Sequence, residues 1–401
     1  MTNAAWRNWQ GWPAIVALAA ALALPVVAGS SPIYLLGVGI EMMLLLLLVA
    51  VAAFAATRPD SAAAGDAALL FGAHAAGAVT LWYLPDAAAA GAAAAAEVPA
   101  GASTLLARID SAPGFWALAL LAWLLAWQLV ARLAVLRGRN NGQEFLLRVF
   151  VPILFGIWIL FLWEVLVRGF GVPFVILPPP SAIATTISAS TTTLFADFRQ
   201  TILKAVLAGY TIGCLAGFLV AILADRFAFL KRGLLPIGNL VAALPIIGIA
   251  PIMVMWFGFD WPSKAAVVVV MTFFPMLVNT VVGLSASEVT QRDLMRTYAA
   301  NYHQALFKLR LPAALPFIFN ALKINSTLAL IGAIVAEFFG TPVVGMGFRI
   351  STEVGRMNID MVWAEIAMAA LAGSAFYGVV ALIERVSTLW HPSFRHSSTE
   401  T

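Results

Sequence analysis

Apolar and polar positions alternate in long blocks along this chain, not with the short period of a strand or the 3.6 period of a surface helix. About ten apolar stretches approach the ~20 residues that a bilayer-crossing helix needs. Four lie in the first third, near 12–30, 33–57, 66–84 and 114–134. Six follow, near 148–168, 200–224, 234–257, 263–284, 313–337 and 361–383. Residues 86–103, an Ala-rich stretch, read as a loop by their low complexity. The hydrophilic stretch 137–145, "RGRNNGQEF", separates the first four blocks from the last six. The pattern therefore predicts an all-α polytopic membrane protein of about ten transmembrane helices, with a region 1–140 and a region 141–401. The apolar run at 13–29 has a second one close behind it, so it is read as an uncleaved first membrane helix.

One block breaks the pattern. Residues 293–316, "DLMRTYAANYHQALFKLRLPAALP", are polar and helix-patterned between two apolar spans. Leu294, Met295, Tyr298, Ala299, Tyr302, Ala305, Leu306 and Leu309 recur near a 3.6 spacing and predict one apolar stripe on a short helix. Pro312 disfavours helical backbone at the residue before it, which predicts a helix end near Leu309–Leu311. Such a helix suits either the lipid interface or the groove of a partner protein.

Composition agrees with lipid as solvent. Of 401 residues, 62% are hydrophobic and 10% charged, against about 25% charged in soluble domains; the mean hydropathy is +0.94. The net charge of +4 is scattered among apolar blocks, which argues against a nucleic-acid partner. The single cysteine, Cys214, excludes an intrachain disulfide framework. His74, His303, His391 and His396 lack ligand spacing, so no metal site is expected. Lys/Arg bias favours cytoplasmic loops. It places Arg7, Arg58, the cluster Arg132, Arg137 and Arg139, the cluster Arg226, Lys231 and Arg232, the 293–316 block, and Arg385 and Arg395 on the cytoplasmic side. Both termini are then expected in the cytoplasm.

Ionisable and polar groups inside spans are the candidates for chemistry. Glu164, Lys323, Glu337, Glu365 and Glu384 qualify, with Lys323 expected to snorkel to the interface. Asn279, Asn320 and Asn325 suit helix bridging or solute contact. Span 234–257 carries Pro236, Pro245 and Pro251, which predicts a broken helix. Broken backbone at membrane depth lines a cavity or packs on protein. Pro245, Pro251, Asn279, Asn325 and Glu337 are therefore the candidate residues of a translocation path. Gly340, Gly345 and Gly347 with Pro342 mark a flexible loop. No nucleophile with its base is apparent.

The 293–312 block resembles a known motif. Asp293, Leu294 and Met295, then Ala299, then Leu309, Leu311 and Pro312 follow the spacing E-A-A-x3-G-x9-I-x-L-P of the loop that binding-protein-dependent ABC importer permeases present to their ATPases. Residues 230–284, 173–183 ("PFVILPPPSAI") and 335–348 ("VAEFFGTPVVGMGF") are similar to permeases of the nitrate, sulfonate and pyrimidine-precursor branch. The resemblance covers about 141–401. It implies a type I permease core of six helices preceded by four extra helices in a bacterial inner membrane. It also implies a docked coupling helix at 293–306, an ATPase dimer that carries ATP and Mg, an extracytoplasmic binding protein and a second permease subunit. No cofactor is expected on this chain, whose sequence lacks G-x-x-x-x-G-K-[ST]. Ala299, where the family favours Gly, is expected to allow close approach of an ATPase groove. An ion-gradient carrier is the competing class, but neither repeated halves nor paired midplane acids are evident.

Overall fold

The computed structural model describes residues 10–28, 32–35, 40–57, 63–98, 104–138, 140–242, 244–340 and 344–388. Arg7, Arg58, Arg139, Pro342, His391, Arg395 and His396 lie outside the described residues. All described regular elements are helices. Two compact units divide the chain after Ala182.

The first unit contains α1 (Gly11–Ala23), α2 (Ile40–Ala56), α3 (Ala63–Ala96), α4 (Thr104–Asp110), α5 (Pro113–Leu133) and α6 (Asn141–Gly169). Its core is alanine-rich: Ala14, Ala21, Ala52, Ala73, Ala76 and Ala122 are fully buried. With no hydrophobic force between helices in lipid, small side chains that let backbones approach supply the packing. A Cβ on Gly11 would meet the Ala56 carbonyl, and one on Gly114 the Leu24 carbonyl. Arg132 closes the base of this unit by donating to the Ala55 carbonyl (2.7 Å) and to Asp66 (3.4 Å).

The unit corrects three expectations. The first apolar block is a helix of only 13 residues, roughly 20 Å long, because Leu24 turns extended before Pro25. The Ala-rich 86–96 stretch is helix, not loop, as α3 runs through Pro85 to Ala96. Alanine's helix propensity, the highest of any residue, overrides low complexity there. The hydrophilic stretch at 137–145 is no division either. Asn141 starts α6, which packs with the first unit through Trp158 against Gly77 and His74. Glu164 then fixes the approach to the next helix, accepting from the Ser181 N–H (2.9 Å) and hydroxyl (2.7 Å) while paired with Arg168 (2.6 Å).

The second unit begins inside α7 (Pro180–Ala189). Helix α8 (Thr191–Phe198) passes through a π-helical stretch, Arg199–Val206, into α9 (Leu207–Arg226). Then come α10 (Ala228–Ala242), α11 (Ile246–Phe257), α12 (Trp261–Ser285) and α13 (Val289–Thr297). Helix α14 (Tyr302–Ala305) continues through a second π stretch, Leu306–Arg310, into α15 (Leu311–Glu337). The last two are α16 (Met346–Gly355) and α17 (Ile359–Ser387). Helix α12 lies between α9 and α15 at the centre. Gly209, Gly213 and Gly217 recur every fourth residue on α9, and a Cβ there would strike Ala265, Thr272 and Phe273 of α12. This spacing of small residues lets two membrane helices touch along their backbones. Asn325 on α15 bridges all three, donating to the Thr272 carbonyl (2.8 Å) and to Cys214 Sγ (3.2 Å).

Seven helices in the described residues are long and apolar enough to cross a membrane, and Gly11–Ala23, Met42–Ala56 and Ile246–Phe257 are shorter apolar helices. All ten predicted apolar blocks are thus helical. Block 234–257 is two helices, interrupted around Leu244 and Pro245.

Candidate functional site

The polar 293–316 block is not one helix. Helix α13 ends at Tyr298, and Ala299 adopts φ +51°, a left-handed conformation uncommon outside glycine. Around it the Ala300 N–H donates to the Met295 carbonyl and the Ala299 N–H to the Arg296 carbonyl, both at 2.9 Å. This pair of bonds is a Schellman closure, whose left-handed residue is usually Gly. A glycine at this place would answer a backbone demand as well as leave room for close approach. Asn301 then caps α14, accepting from the Gln304 N–H while the Gln304 side chain accepts from the Asn301 N–H, both at 2.9 Å. Two reciprocal bonds of this kind satisfy donors that a helix start leaves open.

The predicted apolar stripe is divided by this turn. Helix α13 buries nothing: Leu294 is 57% and Tyr298 78% exposed. Tyr302, Leu306 and Leu311 instead pack with Cys214, Met276 and Ile318. The helix does not stop near Leu309–Leu311 either. At Leu311 the N–H reaches back five residues to the Leu306 carbonyl. This wider turn carries the chain onto Pro312, which has no N–H to offer.

Below the turn the block is clamped to the helix bundle. Arg310 donates to both oxygens of Asp225 (2.7 and 2.6 Å) and through Nε to the Leu284 carbonyl (3.0 Å). The Tyr302 hydroxyl donates to the same carboxylate (3.1 Å), and the Arg226 guanidinium lies 4.8 Å above the Tyr302 ring. Fork-on-carboxylate geometry of this kind is directional as well as strong. The clamp joins the ends of α9 and α12 to the start of the long helix through α15, beside an exposed α13. Asp225 and Arg310 escaped sequence reasoning, since charges at helix ends look like ordinary solvated termini. The signal that could have found them is the adjacency of Asp225 to the Arg226 cluster and of Arg310 to the Leu-Pro pair.

The candidate path residues fall into two groups. Pro245 caps α11 at the helix break, and Pro251 lies within α11. A cavity of about 120 Å³ adjoins that break, lined by Leu244, Ile246, Met271, Phe274 and Leu328. Asn279, Asn325 and Glu337 instead have structural partners. Asn279 donates to the Pro275 carbonyl of its own helix (2.8 Å), and Asn325 is the buried bridge already described. Lys323 pairs with Glu384 (2.7 Å) across α15 and α17.

Glu337 belongs to a buried polar cluster at the far end of α15. Its oxygens accept from the Thr201 hydroxyl (2.8 Å) and the Gly347 N–H (2.7 Å). Asp197 accepts from the Gly345 N–H (2.6 Å) and Arg349 Nε (2.9 Å), and Thr201 accepts from the Met346 N–H (2.9 Å). Three successive N–H groups, at Gly345, Met346 and Gly347, are therefore held by buried side chains. Glycine is required at 345 by its φ of +145° and at 347 because a Cβ would strike the Ile334 carbonyl. The neighbouring Asp260 caps α12, and the Trp261 N–H (2.7 Å) holds its carboxyl below the usual carboxylate range.

No cluster of three or more metal-ligating side chains occurs among the described residues. Residues 209–388 match the family described as binding-protein-dependent transport system inner membrane component. The chain is 31% identical to the formylaminopyrimidine transport permease protein ThiX of Halalkalibacterium halodurans, over 60% of its own length and 95% of the relative's. It is 29% identical to the riboflavin transport system permease protein RibX of Chloroflexus aurantiacus, over 59% and 88%. The putative aliphatic sulfonates transport permease protein SsuC of Bacillus subtilis is 30% identical, over 59% and 86%.

Proposed function

The chain belongs to the inner-membrane permeases of binding-protein-dependent ABC importers, and from that premise we propose how its parts divide the work. Helix α13 and the turn at Ala299 are the docking element for a cytoplasmic ATPase, which carries ATP and Mg. The clamp Tyr302–Asp225–Arg310 passes the movement of that docked element to α9, α12 and α15. The break at Leu244–Pro245 borders the translocation path, where broken backbone is tolerated beside a cavity. The opposite end of the second unit, around 344–349, receives solute from an extracytoplasmic binding protein. Both termini face the cytoplasm, and a second permease subunit, a copy of this chain, completes the path. The solute is a small organic compound or oxyanion, in line with the pyrimidine precursor, riboflavin and sulfonate in the names of the relatives.

A single observation carries this reading: apolar side chains on α13 are left uncovered while the residues that follow are rigidly clamped. An exposed stripe on a fixed base is what a helix-in-groove contact requires. The test is affinity purification of the tagged protein from its native membrane in mild detergent, with mass spectrometry of what accompanies it. A stoichiometric ATPase, lost from Tyr298→Asp while the permease still accumulates, is expected. Retention of the ATPase by that variant would overturn the docking assignment.

A further inference from the structure

A groove runs along the first unit between the end of α5 and the start of α6. Its deep half is a cavity of about 290 Å³ walled by Trp123, Trp127, Val130, Phe155 and Trp158, with alanines between them and no charged or amide side chain. Its outer half is a second cavity of about 290 Å³, where Leu147 and Val151 stand beside Glu144 and Arg148. Both cavities reach Ala134, so the two halves adjoin. Trp158, 4% exposed, is the floor, whereas Trp127 and Phe155 are 47% and 48% exposed on apolar spans, so the deep half opens sideways into the bilayer. From Arg148 to Trp158, α6 rises about 15 Å, which is one leaflet of a hydrocarbon core ~30 Å thick. At the mouth Arg148 donates to Glu144 (3.1 Å), with both side chains exposed. An exposed pair of this kind contributes little stability, so it can open onto an incoming group.

We infer that this groove holds one phospholipid whose headgroup carries both a phosphate and a primary ammonium, with an acyl chain lying along the aromatic floor. A ligand that enters sideways through hydrocarbon is a lipid, and the deep half offers a polar group no charged or amide partner. The broad faces of Trp123, Trp127 and Trp158 give a chain many dispersion contacts. At the mouth the Arg148 guanidinium suits the phosphate, and the Glu144 carboxylate accepts from the ammonium. Acid and base side by side thus match the two charges of one headgroup. A purely anionic headgroup would meet the Glu144 carboxylate unpaired, and a trimethylated ammonium would bring it no N–H.

Native mass spectrometry of the delipidated full-length protein in detergent, titrated with phosphatidylethanolamine, phosphatidylglycerol or phosphatidylcholine, tests this. The wild type should bind one phosphatidylethanolamine about tenfold more tightly than either other lipid, the worth of one charged hydrogen bond. Ala134→Trp, at an exposed position where the cavities adjoin, should weaken that binding by about tenfold or more through overpacking, with the unfolding midpoint of the lipid-free protein unchanged. Glu144→Gln, on the exposed first turn of α6, should bring phosphatidylethanolamine and phosphatidylglycerol to equal affinity, and it carries the test by itself if Ala134→Trp fails to accumulate. Equal binding of the three lipids by the wild type overturns the inference, as does tight binding undiminished in Ala134→Trp or a preference unchanged in Glu144→Gln. If the same spectra show that Ala134→Trp splits an oligomer and leaves lipid binding intact, the groove belongs to a second copy of the chain and the inference is overturned.

Discussion

Replacing Arg310 with Met takes the cation out of the clamp and leaves Asp225 with one donor, the Tyr302 hydroxyl. The Asp225 side chain is 5% and that of Arg310 18% exposed, so solvent does little to soften the change. Breaking a buried pair by removing one partner costs about 3–5 kcal/mol, because the other charge stays buried. Asp225→Asn leaves the Arg310 guanidinium without its counter-charge and should cost a similar amount. The double variant leaves no orphaned charge, and its cost should fall well short of the sum, giving a coupling energy of at least ~2 kcal/mol. At roughly 2–4 °C per kcal/mol for a unit of this size, each single change should lower the unfolding midpoint by about 6–20 °C. Cys214 supplies the assay. It is the only cysteine, buried in the same cluster as Tyr302 and Leu306, so a thiol-reactive fluorophore reports the opening of this region as temperature rises. Additive single and double variants, or single changes that shift the midpoint by less than ~2 °C, would refute the view of Asp225–Arg310 as a clamp.

Other expectations follow from the same geometry. Ala299→Gly relieves a left-handed alanine and should stabilise the α13 turn by up to about 1 kcal/mol, read as slower amide exchange at Ala300 with ATPase stimulation retained. Ala299→Glu should leave the protein in the membrane but abolish stimulated ATP hydrolysis. Asn325→Leu should cost about 0.5–2 kcal/mol through loss of the three-helix bridge, with the KM for uptake unchanged; a large KM change would make Asn325 a solute ligand. Gly347→Ala should lower accumulation in the membrane several-fold, measured by quantitative immunoblot, since its Cβ would strike the Ile334 carbonyl.

The helical blocks were legible because a bilayer imposes both length and apolarity, and neither requires knowledge of neighbours. Helix ends were less so. Proline at 312 read as a stop, yet the helix continues by widening to a π turn. The break inside 293–309 was hidden because the apolar spacing of Leu294, Tyr298 and Tyr302 survives across it, although the two halves face solvent and protein respectively. Only the family's glycine at position 299 hinted at left-handed backbone. Of the far cluster only Glu337 was visible. Its companions Asp197, Thr201 and Arg349 lie far off in sequence, and no local pattern joins them. The division after Ala182 was likewise invisible, since it depends on which helices α6 touches and not on how polar the chain is before it.

One helix runs without interruption from Tyr302 to Glu337, 36 residues, about 54 Å from end to end. The Asp225 clamp grips one end and the Thr201 and Gly347 bonds grip the other. Such a rod is a lever arm. A pivot of about 10° near its clamped base sweeps the other end through roughly 9 Å, more than the diameter of a small solute. Displacements of an ångström or two at the base therefore arrive at the far cluster multiplied, and hydrogen bonds there, with a tolerance of a few tenths of an ångström, must all hold or all let go. The stiffness of this single rod ties the bonds at one end to the bonds at the other.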